Sequence, residues 1–299
     1  MQNDSAYNST DNLKIATLWE NAPLIHNDAI FIADSHFMPT TTNEQSKIAS
    51  QSLIAYFESL LANSQHIPSQ IFLMGDIAHL LLGGVDSSYK SNQKLLVCIE
   101  SLSKLTQIWW FEGNHDFKLK SFKEKLFQHI KIIERTEQPM VFCFKHKEET
   151  KHILLAHGDL FLNIKYELYI RFMQTRFTRF LMSLCDIVTF GNLYSYIITK
   201  VNQKNIRAGK VEMSAFAPTR IAAYENFIQK RLQMLNAVYG ANTDSHIDVI
   251  IEGHFHIGQT YTDTNKRILY VSLPSFYVNG SIFAIKSLFD FLNIHKEDK

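Results

Sequence analysis

The sequence predicts an α/β fold whose strands deliver polar side chains to one edge of a sheet. Three observations carry that prediction. Short apolar runs recur, and each breaks at a glycine or an acidic residue: Ala29–Ala33 before Asp34, Ile71–Met74 before Gly75-Asp76, and Ile108–Phe111 shortly before Gly113-Asn114-His115-Asp116. Continuous apolar runs this short are what strands covered on both faces contain. Stretches with helical spacing separate them, as in α/β architectures. Each run delivers a carboxylate, an amide or an imidazole, at the end from which strands present ligands in such folds.

Taken in order, residues 1–27 read as a polar leader with a short turn of helix around Leu13–Leu18. It lacks the basic start and apolar stretch of a secretory signal. The run Ala29–Ala33 ends at Asp34-Ser35-His36, which puts a carboxylate and an imidazole within reach of one ion. Glu44–Asn63 reads as a helix, with Ile48, Leu53, Tyr56, Phe57, Leu60 and Leu61 spaced for one face. After the strand Ile71–Met74, Gly75 lets the backbone turn sharply before Asp76. Residues 83–92 read as a polar loop, and Gln93–Leu105 as the helix leading into Ile108–Phe111. Two further runs, Met140–Phe144 and Ile153–Ala156, flank a charged hairpin at Lys145–Lys151, and the second ends at His157-Gly158-Asp159.

From Leu160 to about Ser245 the strand rhythm stops, and Tyr166, Tyr169, Met173, Phe177, Phe180 and Leu184 recur at helical spacing. His246–Ile251 restores the strand pattern and ends at Gly253-His254-Phe255-His256. Two histidines at i and i+2 of an extended segment project to one side. Arg267–Leu273 and Ser281–Lys286 read as strands, and Lys286–Asn293 as a closing helix.

Composition bounds the function. A formal net charge of +1 does not suggest a nucleic-acid binder. Cys98, Cys143 and Cys185 are odd in number, lack metal-ligand spacing and sit in apolar contexts, so they read as buried free thiols of a reducing cytoplasm. No stretch reaches the roughly 18 consecutive apolar residues of a membrane span. The nearest, Phe180–Ile198, is interrupted by Asp186, Gly191 and Asn192, so a soluble or peripherally attached protein is expected. The charge is uneven: between Leu160 and Gly240 eleven Lys and Arg stand against four acids, a net of +7 that leaves the rest of the chain at −6.

The strand ends together supply Asp34 and His36, Asp76, Asn114 and His115, His157, and His254 and His256. Oxygen and imidazole ligands without thiolates suit Mn, Fe or Zn rather than Ca. Seven ligands with one bridging carboxylate give two ions four ligands each, and Asp76, alone on its strand, is the natural bridge. Ions so shared lie about 3.5–4 Å apart, activate a water and clamp the attacking and leaving oxygens of an in-line displacement. His115 can serve as proton donor or phosphate contact, with Asp116 placed to fix its ring. The other histidines read as surface or packing residues, with His79, three residues after Asp76, the one to watch.

In that order, D-x-H, G-D, G-N-H-D, H-G-D and G-H-x-H resemble the motifs of the calcineurin-like metallophosphoesterases. The resemblance covers roughly 28–160 and 246–286. It implies a four-layer αββα sandwich with two divalent ions, Mn2+ first, with Fe or Zn as alternatives. Carried over residue by residue, Asp34, His36, Asp76 and His256 hold one ion, and Asp76, Asn114, His157 and His254 the other. His115 then contacts the scissile phosphate, and Asp116 orients it. Within the superfamily the chain is most similar to the UDP-2,3-diacylglucosamine pyrophosphatases of lipid A synthesis. The similarity lies in motif order, in the start Phe31-Ile32-Ala33-Asp34-Ser35-His36, and in a basic helical insertion between H-G-D and G-H-x-H. The best-known branch of those enzymes carries Arg after the Asn of the third motif, where this chain has His115, as the broader superfamily does.

The expected organisation is a leader at 1–27, a metallophosphoesterase core at 28–160 and 246–299, and a helical insertion or lid at 161–245. The resemblance implies hydrolysis of UDP-2,3-diacylglucosamine to UMP and 2,3-diacylglucosamine 1-phosphate. It places the chain in the cytoplasm, peripheral on the inner face of the inner membrane, with a lipid-linked nucleotide substrate and no nucleic acid. Phe172, Met173, Phe177, Phe180 and Leu181 suit an acyl groove, at about 0.8 kcal/mol per buried CH₂. Arg171, Arg176 and Arg179 are placed to meet a diphosphate or an anionic surface, with Phe177 among them. The same apolar residues also suit the internal core of a helical subdomain. Two other readings are a soluble phosphodiesterase or phosphatase acting on nucleotides or phosphoproteins, and a non-catalytic scaffold, which is disfavoured because no ligand position is lost.

Overall fold

Alternate residues of the apolar runs face opposite ways, and this sets the layers of the fold. The computed structural model describes residues 22–122, 127–201, 206–239 and 246–288. Its first half contains β1 (Leu24–Ile25), β2 (Ile30–Ile32), helix α1 (Glu44–Ala62), β3 (Gln70–Leu73), β4 (Leu81–Leu82), α2 (Asp86–Ser103), β5 (Gln107–Phe111), β6 (Asp116–Phe117) and β7 (Ile130–Ile133). The hairpin β8 (Met140–His146) and β9 (Glu149–Ala156) comes next, then helices α3 (Ile164–Met173), α4 (Arg176–Val188), α5 (Asn192–Val201) and α6 (Met213–Tyr239). The chain continues with β10 (Val249–Glu252), β11 (Gln259–Asp263), β12 (Ile268–Ser272), the single-turn α7 (Phe276–Asn279) and β13 (Phe283–Ala284).

One sheet runs β13-β2-β3-β5-β7, its last four strands parallel; the other runs β1-β8-β9-β10-β12-β11, with β9, β10 and β12 parallel. Phe31, Phe72, Trp109 and Phe111 leave the first sheet toward Phe142, Phe144, Ile153 and Val249 of the second, filling the space between the sheets. Their chain neighbours Ile32, Ile71, Leu73, Ile108 and Trp110 face the other way, under Leu53 and Phe57 of α1 and Leu95 and Ile99 of α2. On the far side of the second sheet, Leu154, Ile250 and Tyr270 meet Ala217, Ile221 and Tyr224 of α6. Strands apolar on both faces thus give an αββα sandwich.

The stretch 161–245 divides in two. Helix α6 is the outer layer of the sandwich, whereas α3, α4 and α5 carry much of their apolar surface in solvent. Helices α4 and α5 meet at 112°, so within 176–201 no single helix is long and apolar enough to cross a membrane. The regular spacing from Tyr166 to Leu184 is broken at Thr175, whose hydroxyl caps α4 by accepting the N–H of Thr178 at 3.1 Å. Most of these side chains are not an internal core: Phe172, Phe177, Phe180 and Leu181 are exposed, whereas Met173 packs against the buried Leu82, Phe117 and Tyr194.

Other expectations also shift. Helix α1 buries Leu53, Ile54, Phe57 and Leu60, but Ile48 faces solvent. Most of the loop expected at 83–92 is helix, because α2 starts at Asp86. Its N-cap is Val85, which cannot cap, and the N–H of Ser87 is taken instead by the Asp186 carboxylate of α4 at 3.0 Å. Strands β1, β4, β6, β7 and β11 have no counterpart in the sequence reading: β1, within the expected leader, pairs with β8, β4 pairs with β6, and β7 and β11 are short sheet edges. The three cysteines are free, but only Cys98 is buried. The turn at Leu13–Leu18 and most of the closing helix Lys286–Asn293 lie outside the described residues.

Candidate metal centre

The ligand residues emerge where β2, β3, β5, β9 and β10 end, and the backbone there is unusual. Asp34, His36, Asp76, His254 and His256 all have positive φ, between 44° and 67°. That region costs a non-glycine residue about 1–3 kcal/mol and persists where surrounding structure holds it. Asp and His tolerate it better than branched residues do. Gly113 and Gly75 are sterically required: a Cβ at Gly113 would sit 2.2 Å from Asp76 Oδ1, and one at Gly75 would sit 2.3 Å from His157 Nδ1.

Among the described residues three groups of ligand atoms form there, each mutually within 4.8 Å: Asp34, His36 and His256; Asp76, His157 and His254; and His36, His79 and His115. The first two each hold three of the four residues that the sequence motifs assign to one ion, with Asp76 in the second group. His256 Nε2 lies 3.3 Å from Asp34 Oδ1 and 3.4 Å from His36 Nε2. His157 Nε2 lies 3.5 Å from Asp76 Oδ2 and 3.3 Å from Asn114 Oδ1. Ligand atoms 2.0–2.2 Å from one ion, at octahedral to tetrahedral angles, stand about 3.0–3.5 Å apart.

Hydrogen bonds turn lone pairs toward these positions. His157 Nδ1 donates to the Met74 carbonyl at 2.8 Å and His256 Nδ1 to the Arg207 carbonyl at 3.0 Å, so each presents Nε2 bare. Asp34 Oδ2 accepts the His254 N–H at 2.8 Å, while its buried Oδ1 has no hydrogen bond. With both rings neutral, as a bound cation requires, the orphaned carboxylate oxygen and the bare ring nitrogens are a convergence of acceptors without a donor; in the metal-free protein protons take those positions. Two divalent cations fit this donor set.

The charges agree. Burial holds His36 well below the ordinary imidazole range, and takes His254 down to about 3. At His157 burial is outweighed by Asp76, Asp34 and Asp159, which raise the ring well above that range; at His256 Asp34 likewise overcomes burial. Burial would raise Asp76, but His157, His115 and His36 hold it well below the usual carboxylate range. The buried carboxylates therefore draw positive charge to the positions where cations would sit.

Asp116 does not orient His115. Its Oδ1 accepts the N–H groups of Gly113 and Asp76 at 2.7 and 2.9 Å, and its Oδ2 accepts Ile77 N–H at 2.9 Å and Trp110 Nε1 at 3.1 Å. It braces the ends of β3 and β5 against each other. The His115 ring is held instead by the His79 carbonyl, which accepts from Nδ1 at 2.8 Å. His79 is itself buried against the centre rather than a surface residue, with its ring stacked on that of His115 at 5.1 Å.

Of the residues expected to bind substrate, Arg171 is engaged by Glu167 at 2.8 Å and Arg179 by the Ser121 hydroxyl at 3.1 Å. Arg176 opens α4, and Phe177 beside it is exposed. Arg179 also packs over Gly84, just after β4, whose partner β6 begins at Asp116.

Sequence reasoning missed the residues that hold the ligand loops. Buried Arg220 of α6 donates to both Glu252 oxygens at 2.8 and 2.7 Å, to the Gly158 carbonyl at 3.0 Å and to the Leu160 carbonyl at 2.9 Å. It thereby ties the His157 loop to the end of β10 just before His254. Gln138 Oε1 accepts the His157 N–H at 2.7 Å. No local pattern marks these residues; only the spacing of His79, three after Asp76, was a signal.

No family model matches the chain, and no curated protein sequence matches it. Among solved structures, a dimetal phosphatase from Danio rerio aligns at 12% identity over 83% of this chain and 87% of that one, with a TM-score of 0.40. An archaeal phosphodiesterase aligns at 12% identity over 87% and 94% of the two chains, with a TM-score of 0.35. A phosphopantetheinyl hydrolase from Mycobacterium tuberculosis aligns at 10% identity over 85% and 90%, with a TM-score of 0.33.

Proposed function

We propose that this chain is a dinuclear-metal hydrolase that cleaves the diphosphate of UDP-2,3-diacylglucosamine, giving UMP and 2,3-diacylglucosamine 1-phosphate. The observation that carries the reading is the conjunction of the acceptor-only centre with an exposed apolar and basic helical face joined to it. Asp34, His36, Asp76 and His256 would hold one ion, and Asp76, Asn114, His157 and His254 the other. Such ions, Mn2+ by preference, supply Lewis-acid polarisation of a phosphoryl group and lower the pKa of water.

In the net reaction water adds to one phosphorus, the bridging P–O bond breaks, and the bridging oxygen leaves with the other phosphate. The chain's own part is positioning. His115 donates its Nδ1–H to the His79 carbonyl in a hydrogen bond, so its Nε2 is the atom available to a phosphate or a leaving oxygen.

The lipid part of the reading is supported by the surface of α3–α5. Phe172, Phe177, Phe180 and Ile187 are exposed, as is Phe190 in the turn after α4, and Arg171, Arg176, Arg179 and Lys200 lie on the same helices. Exposed apolar surface on this scale marks an interaction site. Basic side chains beside an anionic bilayer each contribute about 1 kcal/mol. Such a face suits peripheral attachment to the cytoplasmic side of the inner membrane, where a lipid-linked nucleotide is found.

The test is incubation of the metal-reconstituted protein with UDP-2,3-diacylglucosamine and, separately, with a small activated phosphodiester, products being read by mass spectrometry. UMP and the lipid 1-phosphate are expected. Turnover of the small ester alone would overturn the lipid assignment and leave a soluble phosphodiesterase. Turnover of neither, in protein carrying two ions, would overturn the hydrolase reading and favour a scaffold.

A further inference from the structure

We infer that His79 is the residue that orients His36 as a metal ligand, an assignment that rests on the dinuclear reading of the centre. A ligand histidine must present one ring nitrogen bare, and its other nitrogen then carries a proton that needs an acceptor. Backbone carbonyls are those acceptors for His157 and His256. At His36 the partner is another ring: His36 Nδ1 lies 3.3 Å from His79 Nδ1. Two ring nitrogens at that distance share one proton, so one must donate and the other accept.

The far side of His79 decides which. Its Nε2 lies 3.3 Å from the carbonyl oxygen of Val201, an atom that can only accept. The proton of neutral His79 therefore sits on Nε2, and its Nδ1 is a lone pair. His36 Nδ1 donates to that lone pair, and His36 Nε2 is left bare in the group it forms with Asp34 and His256. The opposite arrangement would put the His36 proton on Nε2, where it would block the ion.

The geometry holds His79 to this task. It is 2% exposed, and its ring packs edge-on to His36 at 5.3 Å and stacks on His115 at 5.1 Å. Its backbone carbonyl meanwhile orients His115. One residue thus sets the facing nitrogen of a metal ligand through its ring and that of the phosphate-contacting histidine through its backbone. Because Val201 ends α5, the last turn of the exposed helical hairpin completes the chain of hydrogen bonds that reaches the His36 ring.

Two readouts test this. In the metal-free wild-type protein, long-range 1H–15N spectra should show neutral His36 as the Nδ1–H tautomer; the Nε2–H tautomer would overturn the inference. Equilibrium dialysis against graded Mn2+, with metal counted by mass spectrometry, should give two ions in the wild type. His79→Leu should keep one ion and bind the other about 10–100-fold more weakly, the usual cost of losing a ligand's orienting partner. His79→Asn, whose amide oxygen can accept near the Nδ1 position, should restore most of that loss. Wild-type affinity for both ions in His79→Leu, or no recovery in a folded His79→Asn, would overturn the inference. A wild-type protein that binds fewer than two ions would overturn the dinuclear reading itself, and this inference with it.

Discussion

Arg220→Met tests how much of the centre's geometry depends on one buried cation. The guanidinium is almost fully buried and donates both to the Glu252 carboxylate and to the carbonyls of Gly158 and Leu160. Glu252 is inaccessible to solvent; the Tyr224 hydroxyl donates to one of its oxygens, and the Tyr270 hydroxyl donates to the other at 2.5 Å. Methionine keeps the aliphatic length but leaves this carboxylate without its countercharge. Breaking a buried pair in this way costs about 3–5 kcal/mol, against a total stability of about 5–15 kcal/mol. For a chain of this size about 2–4 °C is lost per kcal/mol, so the melting temperature should fall by about 6–20 °C.

The double variant Arg220→Met/Glu252→Leu removes both charges and should recover much of the loss, because an apolar pair of similar volume often replaces a buried ion pair without penalty. The assay is thermal unfolding of the metal-free proteins, with Mn2+ binding then measured for those that fold. Affinity should drop mainly at the position of His157 and His254, whose loops Arg220 ties together. A single variant within about 1 kcal/mol of the wild type, or a double variant no more stable than the single, would mean that the buried pair does not hold these loops.

Three further outcomes are expected. Asp76→Ala should lose most of both ions and all turnover, if its carboxylate is the ligand that the motif assignment shares between the two ions; two ions retained at normal affinity would sink the bridging assignment. His115→Ala should slow an alkyl phosphodiester more than a diphosphate. An alkoxide needs a proton, for which a positioned acid gives about 10²–10⁴-fold, whereas a phosphomonoester with a second pKa of about 6 departs unaided. Equal kcat/KM losses on the two substrates would remove that argument. In the metal-free protein, burial, with Glu134 and Asp116 nearby, pushes Glu112 up to about 8. The native state then binds the extra proton between the unfolded carboxylate range and pH 8, so this contribution to stability is full at low pH and falls as pH rises. Glu112→Gln should therefore gain in melting temperature over the wild type as pH goes from 5 to 9; a constant difference would contradict the shift.

Features that a few adjacent residues decide were legible in the chain before it folded. An apolar run, a glycine and a ligand are a local unit, so the ends of β2, β3, β5, β9 and β10 could be read, with the seven candidate ligands they carry. The α/β class came from the same runs, because a strand apolar at every position must be covered on both sides. Whatever rests on distant partners was decided by the folded arrangement alone. Helix α2 begins where the Asp186 carboxylate, 99 residues away, takes the N–H of Ser87, so no cap marks its start in the sequence. Nothing beside Asp116 in the chain reveals its four donors, and adjacency to His115 pointed to the wrong one. Apolar spacing made α4 and α6 look alike, yet α6 covers a sheet and α4 faces solvent, because only α6 meets a strand surface of matching apolar residues. His79 belongs to the centre through His36, 43 residues earlier, and Val201, 122 residues later. A proton's position on a ring is set by what both of its nitrogens touch, and that is a property of the folded chain.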